Sequence, residues 1–352
     1  MGSQLQDYDP NGIGQLNGNL YGLPFDYDSA NLIVLAVPWE VTVSYRAGTA
    51  QGPAQILAAS PQLDLYDFDY PEGWKQGIFM VEIPSDILEK NTYYRSQAAQ
   101  IIERLEQGKS LQENPDLQPV LAQINQACEG VNQWLYDRTR LALQQGKWVA
   151  VIGGDHSSPL GCFQALAEQY DSFGILHLDA HADLRDAYEG FQYSHASIMF
   201  NALRIPQITK LVQVGLRDIC QDEVNLIQGS NDRVIAHYDS AIQQHLYSGK
   251  TWIELCREII APLPQNVHIS FDIDGLDPKL CPNTGTPVPG GLELEQAYCL
   301  FRELVNSGRK IIGYDLCEVG NAEWDGNVGA RIVYKLANLM AKSRLEPTDS
   351  NR

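Results

Sequence analysis

The chain has 352 residues, 44% of them hydrophobic and 20% charged; this is ordinary globular composition and excludes general disorder. Its 25 Lys and Arg against 44 Asp and Glu leave a formal charge of −19, which argues against nucleic acid and anionic membrane surfaces as partners and favours a cationic ligand. The seven Cys form no CxxC pair, no apolar run reaches the ~18 residues of a membrane span, and polar Met1–Pro10 is unlike a signal peptide, so a reduced, cytoplasmic protein is expected.

Residues 1–30 are rich in Gly, Asn, Asp and Tyr and lack a period. They predict an N-terminal arm, with ordering against a neighbouring subunit as one outcome. Asn31–Val37 is an apolar run stopped by Pro38, which reads as a buried strand. Pro53 opens a helix over Gly52–Ser60. Helical spacing marks Tyr94–Gln107 and Leu117–Gln145, on either side of the polar loop Gly108–Asp116. Strands and helices then alternate. The strands are Trp148–Ile152, Gly174–Leu178, Lys210–Val214, Val234–His237, Val267–Phe271 and Lys310–Leu316. The helices are Pro159–Glu168, Ala196–Leu203, Thr251–Ile260, Glu293–Val305 and Asn327–Lys342. Such alternation predicts the α/β class: a single-domain three-layer α/β/α sandwich with a mainly parallel sheet, over residues 31–342. Ser343–Arg352 reads as a flexible C-terminal tail.

In an open α/β sheet, ligands bind beyond the carboxyl ends of the strands. Three segments lie there. Gly153-Gly154-Asp155-His156-Ser157 follows the strand Trp148–Ile152. His177-Leu178-Asp179-Ala180-His181-Ala182-Asp183 ends the strand Gly174–Leu178. Ser270-Phe271-Asp272-Ile273-Asp274-Gly275-Leu276-Asp277-Pro278 ends Val267–Phe271. Extended backbone alternates faces, which predicts that Asp179, His181 and Asp183 point one way and that Asp272 and Asp274 do the same. One Asp after a strand is ordinarily a cap or turn residue. Two sets at this spacing, joined by His156, are better explained as a metal site. Four close carboxylates repel one another, and two divalent ions balance their charge. Oxygen-rich donors with some imidazole suit Mn2+ better than thiolate-rich zinc. Two such ions ~3.5–4 Å apart turn water into a nucleophile at neutral pH.

These segments resemble the ureohydrolases, the family of arginase and agmatinase. Thr284-Gly285-Thr286-Pro287-Val288 with Gly290-Gly291-Leu292, and Glu318-Val319 after the last strand, extend the likeness. Val37-Pro38-Trp39, Arg46-Ala47-Gly48 and Gly52-Pro53 resemble the N-terminal segment of agmatinases. The resemblance spans about residues 31–342. It implies an arginase-like fold and a dinuclear Mn2+ enzyme, with Ni2+ as an alternative, that splits a guanidino compound into urea and an amine. One ion would take His156, Asp179, Asp183 and Asp272, and the other His181, Asp179, Asp272 and Asp274, with Asp179 and Asp272 bridging. Glu318 would hold the guanidinium, and His195 would protonate the leaving amine. Asp274 would hold and relay a proton. Asp277 would serve local structure. The family also implies a homotrimer or homohexamer.

The substrate's tail is less determined. The Ser-Gly-Asn-x-His-Gly segment of arginases is absent, and Ala196 follows His195 where agmatinases carry Gly. Arg185 suits a carboxylate, whereas Asp186 and Glu189 suit an ammonium; alternatively these charges pair locally. Thr286 is a further candidate for substrate contact. Agmatine is favoured by the N-terminal segment, with L-arginine, guanidinobutyrate and guanidine as alternatives. A single-zinc deacetylase-like enzyme and a non-catalytic relative are the rival classes.

Overall fold

The computed structural model describes residues 8–345; the first seven residues of the expected arm and the end of the tail, 346–352, lie outside the described residues. Eight described strands are β1 (Leu32–Val37), β2 (Ile78–Met80), β3 (Trp148–Gly153), β4 (Phe173–Leu178), β5 (Ile208–Leu216), β6 (Val234–Tyr238), β7 (Asn266–Asp272) and β8 (Lys310–Cys317). They form one sheet in the order β2-β1-β3-β8-β7-β4-β5-β6, and every pairing is parallel. The described helices are α1 (Gly52–Ala59), α2 (Ser85–Glu106), α3 (Leu117–Gln144), α4 (Leu160–Gln169), α5 (Ile198–Ala202), α6 (Gln221–Gly229), α7 (Asp239–Tyr247), α8 (Trp252–Ile260), α9 (Leu294–Asn306) and α10 (Glu323–Lys342).

Central strands covered on both sides read as continuous apolar runs, and β1, with all six residues buried, is of this kind. Helices α1, α10, α9 and α8 pack in one row, and α2, α3, α4 and α5 in another. Alternation along β7 shows which residues face each row. Phe271 meets Phe301 of α9, whereas His268 meets Phe163 of α4 edge-on. Asp272 shares the parity of His268, so it stands on the α4 side of the sheet.

The helix expected from Tyr94 begins at Ser85. Of its first nine residues only Ile87 and Asn91 are buried, so the apolar period there is weak. Helices α6 and α7 were not expected. Each lies on the surface with one buried side chain, Glu223 and Ile242 respectively, which leaves no stripe to read. Strand β2 has three residues, too few to show a period. The helix expected over Ala196–Leu203 is the short α5, preceded by a tight turn over His195–Ser197.

The described end of the expected arm packs on this chain's own core: Leu20, Tyr21, Leu23, Phe25 and Ala30 are buried, and the Tyr21 hydroxyl donates to Ala330 O. Buried Asn19 closes the sheet edge at β2. Its Oδ1 accepts from Met80 N at 3.0 Å and Leu20 N at 2.9 Å, and its Nδ2 donates to Ile78 O at 2.9 Å. One side-chain amide thus replaces a ninth strand and hides an edge that would otherwise template association. Of the expected tail, Ser343 and Arg344 are bound to the sheet through Ile311. Asn19→Ala strands several buried polar groups, so urea denaturation should show a loss of about 2–3 kcal/mol. Unchanged stability would contradict this account of the edge.

Candidate metal centre and active site

The three segments singled out in the sequence sit together at the carboxyl ends of β3, β4 and β7. After β3 the chain turns sharply at Gly154, where a Cβ would lie 2.1 Å from Trp39 O, so only glycine fits. Asp155 then accepts from Ser157 N and holds the turn that presents His156. After β4, Asp179 Oδ1 accepts from His181 N at 2.6 Å. Asp183 follows in the left-handed region, φ 55°, a conformation that costs a non-glycine residue roughly 1–3 kcal/mol. After β7, Asp272 Oδ1 accepts from Asp274 N at 2.9 Å and caps the turn Ile273–Gly275. Alternation along β7 places Asp272, while tight turns bring His181, Asp183 and Asp274 to the same rim.

The resulting distances define two donor sets. His156 Nδ1 lies 3.1 Å from Asp179 Oδ2, 3.3 Å from Asp183 Oδ2 and 3.3 Å from Asp272 Oδ2. His181 Nδ1 lies 3.4 Å from Asp179 Oδ1 and 3.2 Å from Asp274 Oδ2. Asp179 thus turns one oxygen to each histidine. Ligands bound at about 2.1 Å and at right angles stand about 3 Å apart. The side chains present therefore fit divalent cations, and the cluster offers donors for them.

Charge is concentrated here. Burial, then Asp179, pushes the Asp183 carboxyl up to about 7. Burial, Asp274 and Asp179 push Asp272 up strongly. Burial works against charge on both His156 and His181, but the surrounding carboxylates outweigh it and raise both well above the usual imidazole value. Asp179 is held low despite burial, because His177, His156 and His181 all favour its ionised form.

Below this rim lies a polar row that the sequence reading missed. Gln213, His177, Ser270 and Asp315 are register partners across β5, β4, β7 and β8. Gln213 Nε2 is 2.9 Å from His177 Nδ1, and His177 Nε2 is 2.8 Å from Asp179 Oδ2. Ser270 Oγ is 3.0 Å from His156 Nε2 and donates to Asp315 Oδ1 at 2.9 Å; Asp315 Oδ2 is 2.8 Å from His268 Nε2. The available signal was a polar residue inside each otherwise apolar strand, two before Asp179 and two before Asp272.

A cavity of about 170 Å3 opens beside the rim, lined in part by Ser44, His181, Asp183, Arg185, His195 and Thr286. Burial and His181 push the His195 imidazole down to about 3. Thr286 Oγ1 reaches Asp274 Oδ2 at 3.4 Å. Glu318, at φ 62°, accepts from His156 N at 3.0 Å through Oε1. Among the described residues its buried Oε2 has no hydrogen-bond partner, and a Cβ at Gly285 would lie 2.8 Å from it. Burial, Asp155 and Asp274 push this carboxyl well above its usual range. Arg185 stacks on Tyr188 at 4.7 Å.

Asp186 is not brought to the cavity: it is exposed and pairs with Arg204 at 2.9 Å. Glu189 is half-buried and is not among the residues lining the cavity, and burial with Glu106 pushes it up to about 7. Asp277 Oδ1 accepts from Lys279 N, a turn role. Glu223, also missed, lines the cavity and ties Leu184 N to Cys220 N through its two oxygens. A larger open groove of about 930 Å3 follows the β2 edge past Asn17, Phe25 and Glu82, and none of this chemistry lies in it.

Asp183 and Asp272 retain protons to higher pH than ordinary carboxyls, and His156 and His181 retain theirs too. Ligation must displace those protons, so divalent-metal affinity should rise with pH and weaken as pH falls through about 7. Calorimetry at pH 6 and pH 8, in buffers of different ionisation enthalpy, should show proton release and a gain of about tenfold per pH unit for each proton displaced. Equal affinity at both values would contradict the arrangement. Asp179→Ala should weaken both donor sets, and Asp183→Ala chiefly that of His156, as read by metal analysis after dialysis.

A family model described as the arginase family matches residues 30–340. The chain is 29% identical to an N(1)-aminopropylagmatine ureohydrolase of Synechocystis sp., over 90% of this chain and 92% of that one. It is 30% identical to the N(1)-aminopropylagmatine ureohydrolase of Thermus thermophilus, over 89% and 91%. The crystal structure of agmatine ureohydrolase of Thermoplasma volcanium superposes with a TM-score of 0.68 at 21% identity, covering 92% of this chain and 94% of that one, which shows a shared fold. The strand-end motifs, the parallel sheet and these matches together place the chain in the arginase family.

Proposed function

We propose that this protein hydrolyses a small cationic guanidino compound of the agmatine type, yielding urea and an amine, with two Mn2+ ions per subunit. One observation carries the reading. The Asp179 carboxylate is split between the His156 and His181 donor sets, and Glu318, whose Oε1 accepts from His156 N, has a buried Oε2 with no hydrogen-bond partner among the described residues. His156, Asp179, Asp183 and Asp272 would hold one ion. His181, Asp179, Asp272 and Asp274 would hold the other, with Ni2+ as an alternative metal. A divalent pair supplies acidified water at neutral pH.

The chain's own residues do the rest. A guanidinium is planar and presents paired N–H groups, which a carboxylate accepts in the plane. Glu318 supplies that carboxylate, and the substrate's charge favours its ionised form. The narrow cavity suits an unbranched tail. Fixing the guanidino carbon against the rim supplies orientation, which is worth several kcal/mol of barrier. The overall reaction adds water across the bond from carbon to the substituted nitrogen. The C–O bond forms, that C–N bond breaks, and, because a guanidinium gives neutral urea and an ammonium, both protons of water end on the departing nitrogen, the first of them as the bond breaks. Asp274 holds that first proton at the rim, and His195, kept neutral in its pocket, collects it and delivers it to the amine.

Arg185 favours a second reading. It lines the cavity and, among the described residues, forms no ion pair, so a substrate with a terminal carboxylate has a partner there. A cytoplasmic homotrimer or homohexamer completes the proposal; no described helix is long and apolar enough to cross a membrane.

Urea release from agmatine, its N(1)-aminopropyl derivative, L-arginine and guanidinobutyrate, with Mn2+ and Ni2+ in turn, tests this. The cationic amines should lead. No urea from any of them with metal fully loaded would end the proposal. His195→Ala should cut kcat by about 10²–10⁴ while keeping its metal. Glu318→Gln should lower kcat/KM at least about tenfold, as expected for loss of a charged pair.

A further inference from the structure

We infer that Thr42, on the loop after β1, is the positioning residue for His195, fixing both its backbone and its ring. The inference rests on the reading of His195 as the group that delivers a proton to the leaving amine.

Thr42 is fully buried, and its hydroxyl meets three polar groups. His195 N donates to Thr42 Oγ1 at 3.1 Å. The hydroxyl lies 3.3 Å from Asp155 Oδ2, to which it donates. Its third neighbour is His195 Nδ1, at 3.4 Å. A hydroxyl has one hydrogen and two lone pairs. With the hydrogen directed at Asp155, the lone pairs are left for His195 N–H and for a ring N–H at Nδ1. Ser194 Oγ, 3.3 Å from the same ring nitrogen, already accepts from Ala196 N as the cap of the following turn. The Thr42 contact to the ring is a hydrogen bond only when the ring hydrogen sits on Nδ1, and the inference is that the neutral ring carries it there. Nε2 keeps its lone pair, ready to take a proton and pass it on.

The loop that carries Thr42 is itself held firmly. Glu40 Oε2 accepts from Gly48 N at 2.6 Å, Thr49 Oγ1 at 3.2 Å and Ala50 N at 3.2 Å, while Glu40 N donates to Asn91 Oδ1 at 2.7 Å. Trp39 O accepts from Asp155 N at 2.7 Å. Thr42 thus links a framed loop, the turn that presents His156 and the residue assigned to proton delivery. Small misplacements of a reacting group cost large factors in rate, so this hydroxyl is well placed to control turnover without touching substrate.

Thr42→Val keeps the shape and removes the hydroxyl; Thr42→Ser keeps the hydroxyl and removes a methyl. With the Mn2+-loaded protein, Thr42→Val should lower kcat by about tenfold or more, with KM and metal content within about twofold of the parent. Thr42→Ser should recover kcat to within about threefold of the parent. Thr42→Ala supplies the same comparison if the valine protein does not fold. Nitrogen-15 spectra of histidine-labelled protein give a readout independent of turnover: His195 should show the Nδ1–H tautomer in the parent and serine forms and a tautomer mixture in the valine form. Unchanged kcat in Thr42→Val, equal loss in the serine and valine forms, or an unaltered His195 tautomer would overturn the inference. Absence of urea from every guanidino compound with the parent protein would instead overturn the functional reading, and the spectra would still decide the role of Thr42.

Discussion

Burial of like charge at one rim is the constraint around which this protein is arranged. Asp179, Asp183, Asp272, Asp274 and Glu318 are each 5% exposed or less, and Asp155 and Asp315 stand behind them fully buried. Two like charges 4 Å apart repel by about 4 kcal/mol even at the effective dielectric of a protein surface. A few such pairs rival the entire net stability of a folded domain, about 5–15 kcal/mol. The cluster is tolerable only with positive charge or protons set among the carboxylates. The raised His156, His181, Asp183 and Asp272 are the chain's own expression of that demand. Divalent cations meet it more fully, and the split orientation of Asp179 gives them donors on two sides.

The sheet turns this demand into placement. A parallel sheet covered on both faces ordinarily has no place for polar side chains. Here one register row, Gln213, His177, Ser270 and Asp315, crosses four strands on the α4 side, just below the rim. Each member satisfies a neighbour, and the row ends on the ring of His156 and on Asp179. Metal-binding histidines commonly use the second ring nitrogen in this way, which fixes the tautomer and aims the free nitrogen. Asp179 and Asp272 stand two residues beyond His177 and Ser270, on the same face. The strand pairing that builds the core thereby also sets the spacing of the donors.

The parallel sheet and the strand-end segments were legible because both signals are local. An apolar run ending in Asp, His and Gly announces a strand and its exit within ten residues. Bringing Asp179, His181, Asp183, Asp272 and Asp274 together on the strength of alternation named side chains that do meet, but by a different geometry, since Asp183 is left-handed and Asp274 sits in a turn. Asp186 was misjudged because adjacency to Asp183 says nothing of direction once the loop has left the sheet; it faces solvent and Arg204. Thr42 and Glu223 gave no signal of their own, and His177 only that of a polar residue inside an apolar strand. Their roles arise from contacts with segments far away in sequence or across strands, as with Thr42 and His195, 153 positions apart. Helices α6 and α7 were illegible for another reason: with one buried residue each, tertiary context rather than period makes them.

The loops around the rim divide into two kinds, and the division bears on how substrate preference can change. Arg217 donates to Gly215 O, Asp274 O, Leu276 O and Val288 O, tying the exits of β5 and β7 to the segment 284–288. Glu40 and Glu223 bind backbone N–H groups on the other sides. These charged side chains, buried at Glu40 and Glu223 and half-buried at Arg217, are spent on main chain, and removing one leaves several groups unsatisfied, which makes them expensive to alter. The wall over 185–190 is built differently. Arg185 rests on Tyr188 by stacking, Asp186 pairs in solvent, and Tyr188 pairs with Phe191 in a single bridge. Exposed pairs and stacks of this sort contribute little to stability. Substitutions there alter one wall of the cavity, to which Arg185 and Tyr188 belong, while leaving the donor rim in place. A shared rim with a permissive wall is therefore a physical route by which one fold can serve guanidino substrates of different tails.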